Sequence, residues 1–549
     1  MVLQAKEKMK RFEEVLKKIY NYPQFEVFLF LILLSIGIFI RAFHFGTSPI
    51  GIHQDEAMAA VDAKALLEYG TDRFGMRYPV HFTAWGNSQM SVLLSYCMIP
   101  FIKVFGYSIT AIRIPLLIIS SIGLAMVYVL GRKAGGVKLA VAFSLMTIAC
   151  PWHYMQSRWS IDCNMFPHMF LIGVCLLLIG IGKKRYLYIS MIFFAFCSYC
   201  YGIANYSVPL FLFFMAVFLC CCKKVNIKEI IISIVIYVLL VLPEFLTMFI
   251  NMFGLESIAT PFFTIPYFQE SERSHDILFM NFSWDQLLYN IKRMFAVVWC
   301  KEDTSVVNAI ETVGPLYDVT MVFFIIGLFA MIGKCKKTIS LEKRLPYIAI
   351  LAWLVMGIWV GVVTRSVTIH RINIIFYPIV MIASIGIVWC IEKWRLLMVP
   401  IGAIYAAYAL SFAVKYFGDW SDISRIYYYE TYLNALEYAE TLPCDYYYIA
   451  PDPQGVGEKK VGEILTLFSH EIDALYYQGK SNMQKGVELL PFEERYHFED
   501  VTREILNENI NKEVVYIVHA ENLELFSEEE YVIDSFYDTY YVIQKKVIK

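Results

Sequence analysis

"FEVFLFLILLSIGIFIRAFHFGTSPIGIHQDEA" spans residues 25–57. Its first part is an apolar run from about Phe25 to Ile40. At ~1.5 Å per residue, a helix of about 20 residues crosses ~30 Å of hydrocarbon. Its last part sets His53, Gln54, Asp55 and Glu56 almost directly after that run. The basic segment "KEKMKRFEEVLKK" precedes it, and no small-x-small cleavage site follows it. The run is therefore expected to be a retained signal-anchor, with residues 1–23 on the cytoplasmic side.

Similar runs recur near 24–43, 110–131, 137–155, 163–181, 185–203, 205–222, 228–250, 316–334, 345–363, 367–391 and 394–416. With 58% hydrophobic and 17% charged residues and a mean hydropathy of +0.53, the chain reads as a polytopic membrane protein. Soluble chains of this length are less apolar and more charged. The expected fold is an all-α membrane domain of about eleven spans over 24–416, followed by a small α/β domain over 417–549. The tail is acidic, with 26 Asp and Glu against 11 Lys and Arg from Phe417 onward, although the whole chain carries only −2. Its segments "DYYYIA", "EVVYIVHA" and "DTYYVIQKK" read as strands, and "SRIYYYETYLNALEYAETL" and "VGEILTLFSHEIDALYYQG" as helices.

The stretch "MSVLLSYCMIPFIKVFG" (90–106) is shorter, holds Pro100 and carries Lys103. If it lies at the interface without crossing, the basic loops at 131–133, 183–185, 223–224, 334–337 and 392–395 all share the side of the N-terminus. That satisfies the positive-inside rule five times with one assumption. The loops 44–109 and 251–315, the turns 155–162, 201–205 and 364–371, and the acidic tail then fall on the outer face.

Three polar groups stand on that face. Asp55 and Glu56 begin an expected amphipathic surface helix over 54–69, closed by Gly70. Acids in a first helical turn also simply favour the helix N-terminus. Arg158 and Asp162 sit four apart in "SRWSID", the spacing of an ordinary intrahelical pair. Arg365, His370 and Arg371 cluster against the positive-inside bias, as an anion site or a headgroup anchor would require. Carboxylates beside a cationic pocket suit transfer of a group from a lipid phosphate. The cations stabilise the leaving phosphate and a carboxylate takes the proton of the incoming hydroxyl.

"HQDEA", "FGYSITAIRIP" with Arg113, and "SRWSID" together resemble the GT-C superfamily of membrane glycosyltransferases, in particular its protein O-mannosyltransferase and aminoarabinose-transferase branch (family 39-like). The resemblance covers roughly residues 24–250. It implies a polyprenyl-phosphate sugar donor and a glycan, lipid or protein acceptor. The reaction would be an inverting hexosyl or pentosyl transfer at the outer face of a bacterial plasma membrane. Asp55 would be the base or acceptor-orienting carboxylate and Glu56 its assistant, with Arg158 pairing with the acids or the phosphate. By topology and not by the resemblance, Arg365, His370 and Arg371 would serve the donor phosphate, with His53 and Asp162 in support. "TPFFTIPYF" and Trp284 in loop 251–315 are candidates for an acceptor groove or for interfacial aromatics.

No metal is assigned and no cofactor is firmly implied. A divalent cation stays open, because His53, Asp55 and Glu56 are suitable ligands without diagnostic spacing. Cys197 and Cys200 have CxxC spacing but no second pair, and Cys220, Cys221 and Cys222 abut a basic helix end. No nucleic-acid motif or phosphate loop is evident. The alternatives are a transporter or flippase of lipid-linked sugars, which would show inverted repeats and mid-membrane charges, and a membrane-anchored module acting through its tail.

Overall fold

The computed structural model describes residues 23–268, 283–303, 305–336, 338–364, 366–451, 460–537 and 539–546. Eight helices among them are long and apolar enough to cross a membrane. The eleven apolar runs fall mostly on helix, although run 367–391 begins before the helix Asn373–Lys393, and the difference in number has a geometric origin. The backbone leaves helical geometry at Gly135 and Gly136, so the stretch Ile109–Ile148 is two helices joined at a kink and two runs share it. Lys184–Cys200 and Asp318–Lys334 are each 17 residues long, just short of a full crossing by length.

The helices are held close by missing side chains. A Cβ at Gly327 would lie 1.9 Å from the Ile382 carbonyl oxygen, and one at Gly386 would lie 2.1 Å from that of Phe323. Asp318–Lys334 and Phe376–Lys393 therefore meet backbone to backbone, as small residues allow within a bilayer. Arg41 ends the first helix, Pro23–Ala42, fully buried. It donates to the carbonyls of Gly37 and Thr147 and to His153 Nδ1, tying that helix to the end of Ile109–Ile148 and to the short helix Pro151–Gln156. The basic loops gather at one end of the bundle, where Lys138 meets Glu392, Lys184 meets Glu229 and Lys224 meets Glu342.

At the other end, Gln54–Tyr69 is a helix closed by left-handed Gly70. It does not float on a surface with one apolar face. Most of its residues are buried, including Ala57, Ala59, Ala60, Ala63 and Ala65. The alanines let Leu93–Phe105 approach on one side and Val461–Ser469 of the tail on another. Leu93–Phe105, the ambiguous stretch, is a helix of 13 residues.

The tail builds a five-stranded sheet in the order Tyr531–Phe536, Tyr540–Lys545, Val514–His519, Tyr446–Ile449, Tyr496–Phe498. The first three strands run antiparallel and the last two pair in parallel. Alternating residues of the central strand supply two cores. Val515 and Ile517 join the core that continues into the membrane bundle, while Val514, Tyr516 and Val518 join a second one on the far face. Each of the two expected tail helices is broken, giving Asp419–Tyr427 and Glu430–Glu440, then Val461–Ser469 and Ala474–Tyr477.

Candidate functional site

His53 is the N-cap of Gln54–Tyr69. Its ring nitrogen accepts from the Asp55 N–H at 3.2 Å, and Glu56 accepts from the His53 N–H at 3.1 Å, a reciprocal capping box. The two acids then part. Asp55 points outward with 28% of its side chain exposed, and one carboxylate oxygen accepts from Trp85 Nε1 at 2.7 Å. Trp85 stands at the tip of a hairpin between strands His81–Thr83 and Gln89–Ser91, turned by Gly86 with φ 59°.

Glu56 is fully buried. Arg113 Nε and Nη2 each donate to one of its oxygens at 2.8 Å, and the Ser160 N–H donates at 2.6 Å. Together with the His53 N–H, these bonds occupy the carboxylate, which reads structurally as the strut between loop 44–56, the helix carrying Arg113 and the turn after Arg158. The ion pair expected of Arg158 therefore belongs to Arg113. Arg158 instead donates to the carbonyls of Arg41, His44 and Ser48, with its guanidinium carbon 5.1 Å from the Tyr154 ring and 5.7 Å from that of Tyr416. The guanidinium is fully buried and spent on these carbonyls and on the Tyr416 hydroxyl, to which Nε donates at 3.2 Å. Arg113 could have been singled out as a lone charge within the first turns of an apolar run. Trp85 gave no comparable signal.

Asp162 begins the short helix Asp162–Met165 and accepts from the Cys163 N–H at 2.7 Å. Arg371 is half-buried and makes none of the salt bridges found among the described residues. His370 meets the loop that carries Asp303 and Asn308. Asn308 contacts its Nδ1 at 3.0 Å, and Asp303 accepts from the neighbouring Ile369 N–H at 2.6 Å. Arg365 lies outside the described residues. Trp284 starts the helix Trp284–Trp299 and is 70% exposed.

A second buried polar pair escaped the sequence reading. His81 Nε2 lies 3.2 Å from a Glu244 carboxylate oxygen, and burial pushes the His81 imidazole down to about 4. Among the described residues, no three His, Cys, Asp or Glu side chains gather as metal ligands. Cys197 and Cys200 are free and buried, and Cys220 and Cys221 are free and exposed.

No protein-family model matches the sequence, and no curated protein matches it. Solved structures do. ArnT from Cupriavidus metallidurans bound to undecaprenyl phosphate superposes with a TM-score of 0.56 at 9% identity, over 94% of this chain and 98% of that one. The same protein in the apo state gives 0.54 at 10% identity, over 94% and 97%. The likeness runs through the tail as well as the bundle. The chain therefore shares the fold of these ArnT structures, a bundle of long apolar helices completed by a small α/β domain.

Proposed function

We propose that this chain is a glycosyltransferase that moves a sugar from a polyprenyl-phosphate donor to a hydroxyl acceptor at the outer face of the membrane. The observation that carries the reading is the separation of the two acids. Glu56 is buried and occupied by Arg113, whereas Asp55 stays partly exposed, with one oxygen accepting from Trp85 and the other 3.7 Å from His53 Nδ1. The acceptor oxygen attacks the anomeric carbon, the bond from that carbon to the phosphate oxygen breaks, and the acceptor proton passes to Asp55. A single displacement of this kind inverts the anomeric centre. Arg371 offsets charge on the departing phosphate. The undecaprenyl phosphate bound by ArnT supports a lipid donor. The basic loops gathered at the opposite end of the bundle support an outward-facing site.

The test is transfer from a labelled polyprenyl-phosphate hexose or pentose by the full chain in nanodiscs. Asp55→Asn is expected to lower the rate by ~10²-fold or more, with an unchanged elution profile. Full activity in that variant removes Asp55 from the chemistry.

A further inference from the structure

The break between Asp419–Tyr427 and Glu430–Glu440 falls on Tyr428 and Tyr429, with Tyr429 in the left-handed region at φ 52°. That turn drives both residues into the segment just before Asp55. The Tyr428 carbonyl accepts from the Ile52 N–H at 2.7 Å. Its fully buried ring stands edge-on to His53 at 6.1 Å and to Trp159 at 5.9 Å, and lies 5.7 Å from the Arg113 guanidinium carbon. The Tyr429 hydroxyl donates to Gln54 Oε1. Gly51 completes the fit. At φ +78° it has no Cβ, and one built there would lie 2.2 Å from the Tyr428 carbonyl oxygen. Residues 51–54 are thus covered by the tail, and His53 is the group that caps the Asp55 N–H.

We propose that Tyr428 and Tyr429 are positioning residues, through which the C-terminal domain holds His53 and Gln54 and so fixes the direction of the Asp55 carboxylate. The proposal rests on the reading of Asp55 as the base. It gives the tail a role in the rate of transfer that is separate from capture of the donor. The Tyr429–Gln54 bond is the part that can be removed without emptying a core, because Tyr429→Phe keeps the ring.

The experiment uses the full chain in nanodiscs, with Tyr429→Phe, Gln54→Met and the double variant. Each single variant is expected to lower kcat about 5- to 20-fold with donor KM changed less than twofold, and the double to fall no further, since both remove one interaction. Amide hydrogen exchange at Ile52 and Asp55 is expected to quicken at least tenfold in Tyr429→Phe. The helix Val461–Ser469 and the strand Val514–His519 should stay unchanged. Multiplying kcat losses in the double variant, a loss confined to KM, or unaltered exchange at Ile52 each overturn the proposal. Exchange is read without turnover, so full transfer by Asp55→Asn would overturn the base while the clamp still stood or fell on its own measurement.

Discussion

Four hydrogen bonds converge on Glu56, two from Arg113 and one each from the backbone of His53 and Ser160. A buried pair of this kind is costly to break from one side, because the surviving charge is left without water or partner. Glu56→Gln is expected to destabilise the protein by about 3–5 kcal/mol, read as a drop in the thermal midpoint of the detergent-solubilised chain. Glu56→Leu combined with Arg113→Met is expected to recover part of that loss. No recovery in the double variant would show that hydrogen bonds to the loop, not the charge pair, carry the stability. Asp55, one residue earlier, is expected to behave in the opposite way, with activity lost and stability kept. The i to i+1 step on a helix turns the side chain by about 100°, which suffices to put one carboxylate in the core and the other at the surface.

At the scale of elements, the bundle depends on helices that meet without side chains between them. Gly386→Ala sets a methyl group against the Phe323 carbonyl and the Gly327 backbone of the facing helix. The two helices must part, at about 1–3 kcal/mol for an overpacked contact. Gly333→Ala on the same helix as Gly327 meets nothing within 4 Å and is expected to be neutral or slightly stabilising. Comparing the thermal midpoints of the two variants separates close packing from helix propensity, and equal midpoints would remove the packing argument. The Ala-rich helix Gln54–Tyr69 follows the same rule. It is buried on most sides because short side chains let its neighbours close in, so its apolar pattern could not show which side faced a membrane.

For the whole molecule, one hydrophobic core runs from the bundle into the tail, so the tail's stability bears on the site. His470 lies inside that core, with Nε2 at 3.0 Å from the Leu436 carbonyl and Nδ1 at 3.3 Å from the Tyr496 hydroxyl. Burial holds its imidazole below the ordinary value. Folded, it stays neutral where the unfolded chain takes up a proton. Its contribution is therefore complete above about pH 6.5 and is lost as pH falls through and below that value, by at most about 1.4 kcal/mol per unit. The thermal midpoint is expected to fall between pH 7.5 and 5.5, and to fall less in His470→Gln. Parallel curves for the two proteins would assign the acid sensitivity elsewhere.

The sequence by itself determined the membrane bundle, the acidic α/β tail and the helix that starts at Gln54. Long apolar runs, alternating strands and a capping residue are properties of contiguous residues, so they survive being read one segment at a time. The tertiary structure alone decided which charges are spent. Arg113 reaches Glu56 across 57 residues, and Arg158 reaches the Ser48 carbonyl across 110. Nothing local distinguishes a buried guanidinium satisfied by carbonyls from one held open for a phosphate. The same holds for Trp85, whose approach to Asp55 depends on a hairpin tip, and for Tyr429, which meets Gln54 across 375 residues. Partners so far apart are chosen by chain packing, which fixes where each loop ends after the apolar helices have found one another.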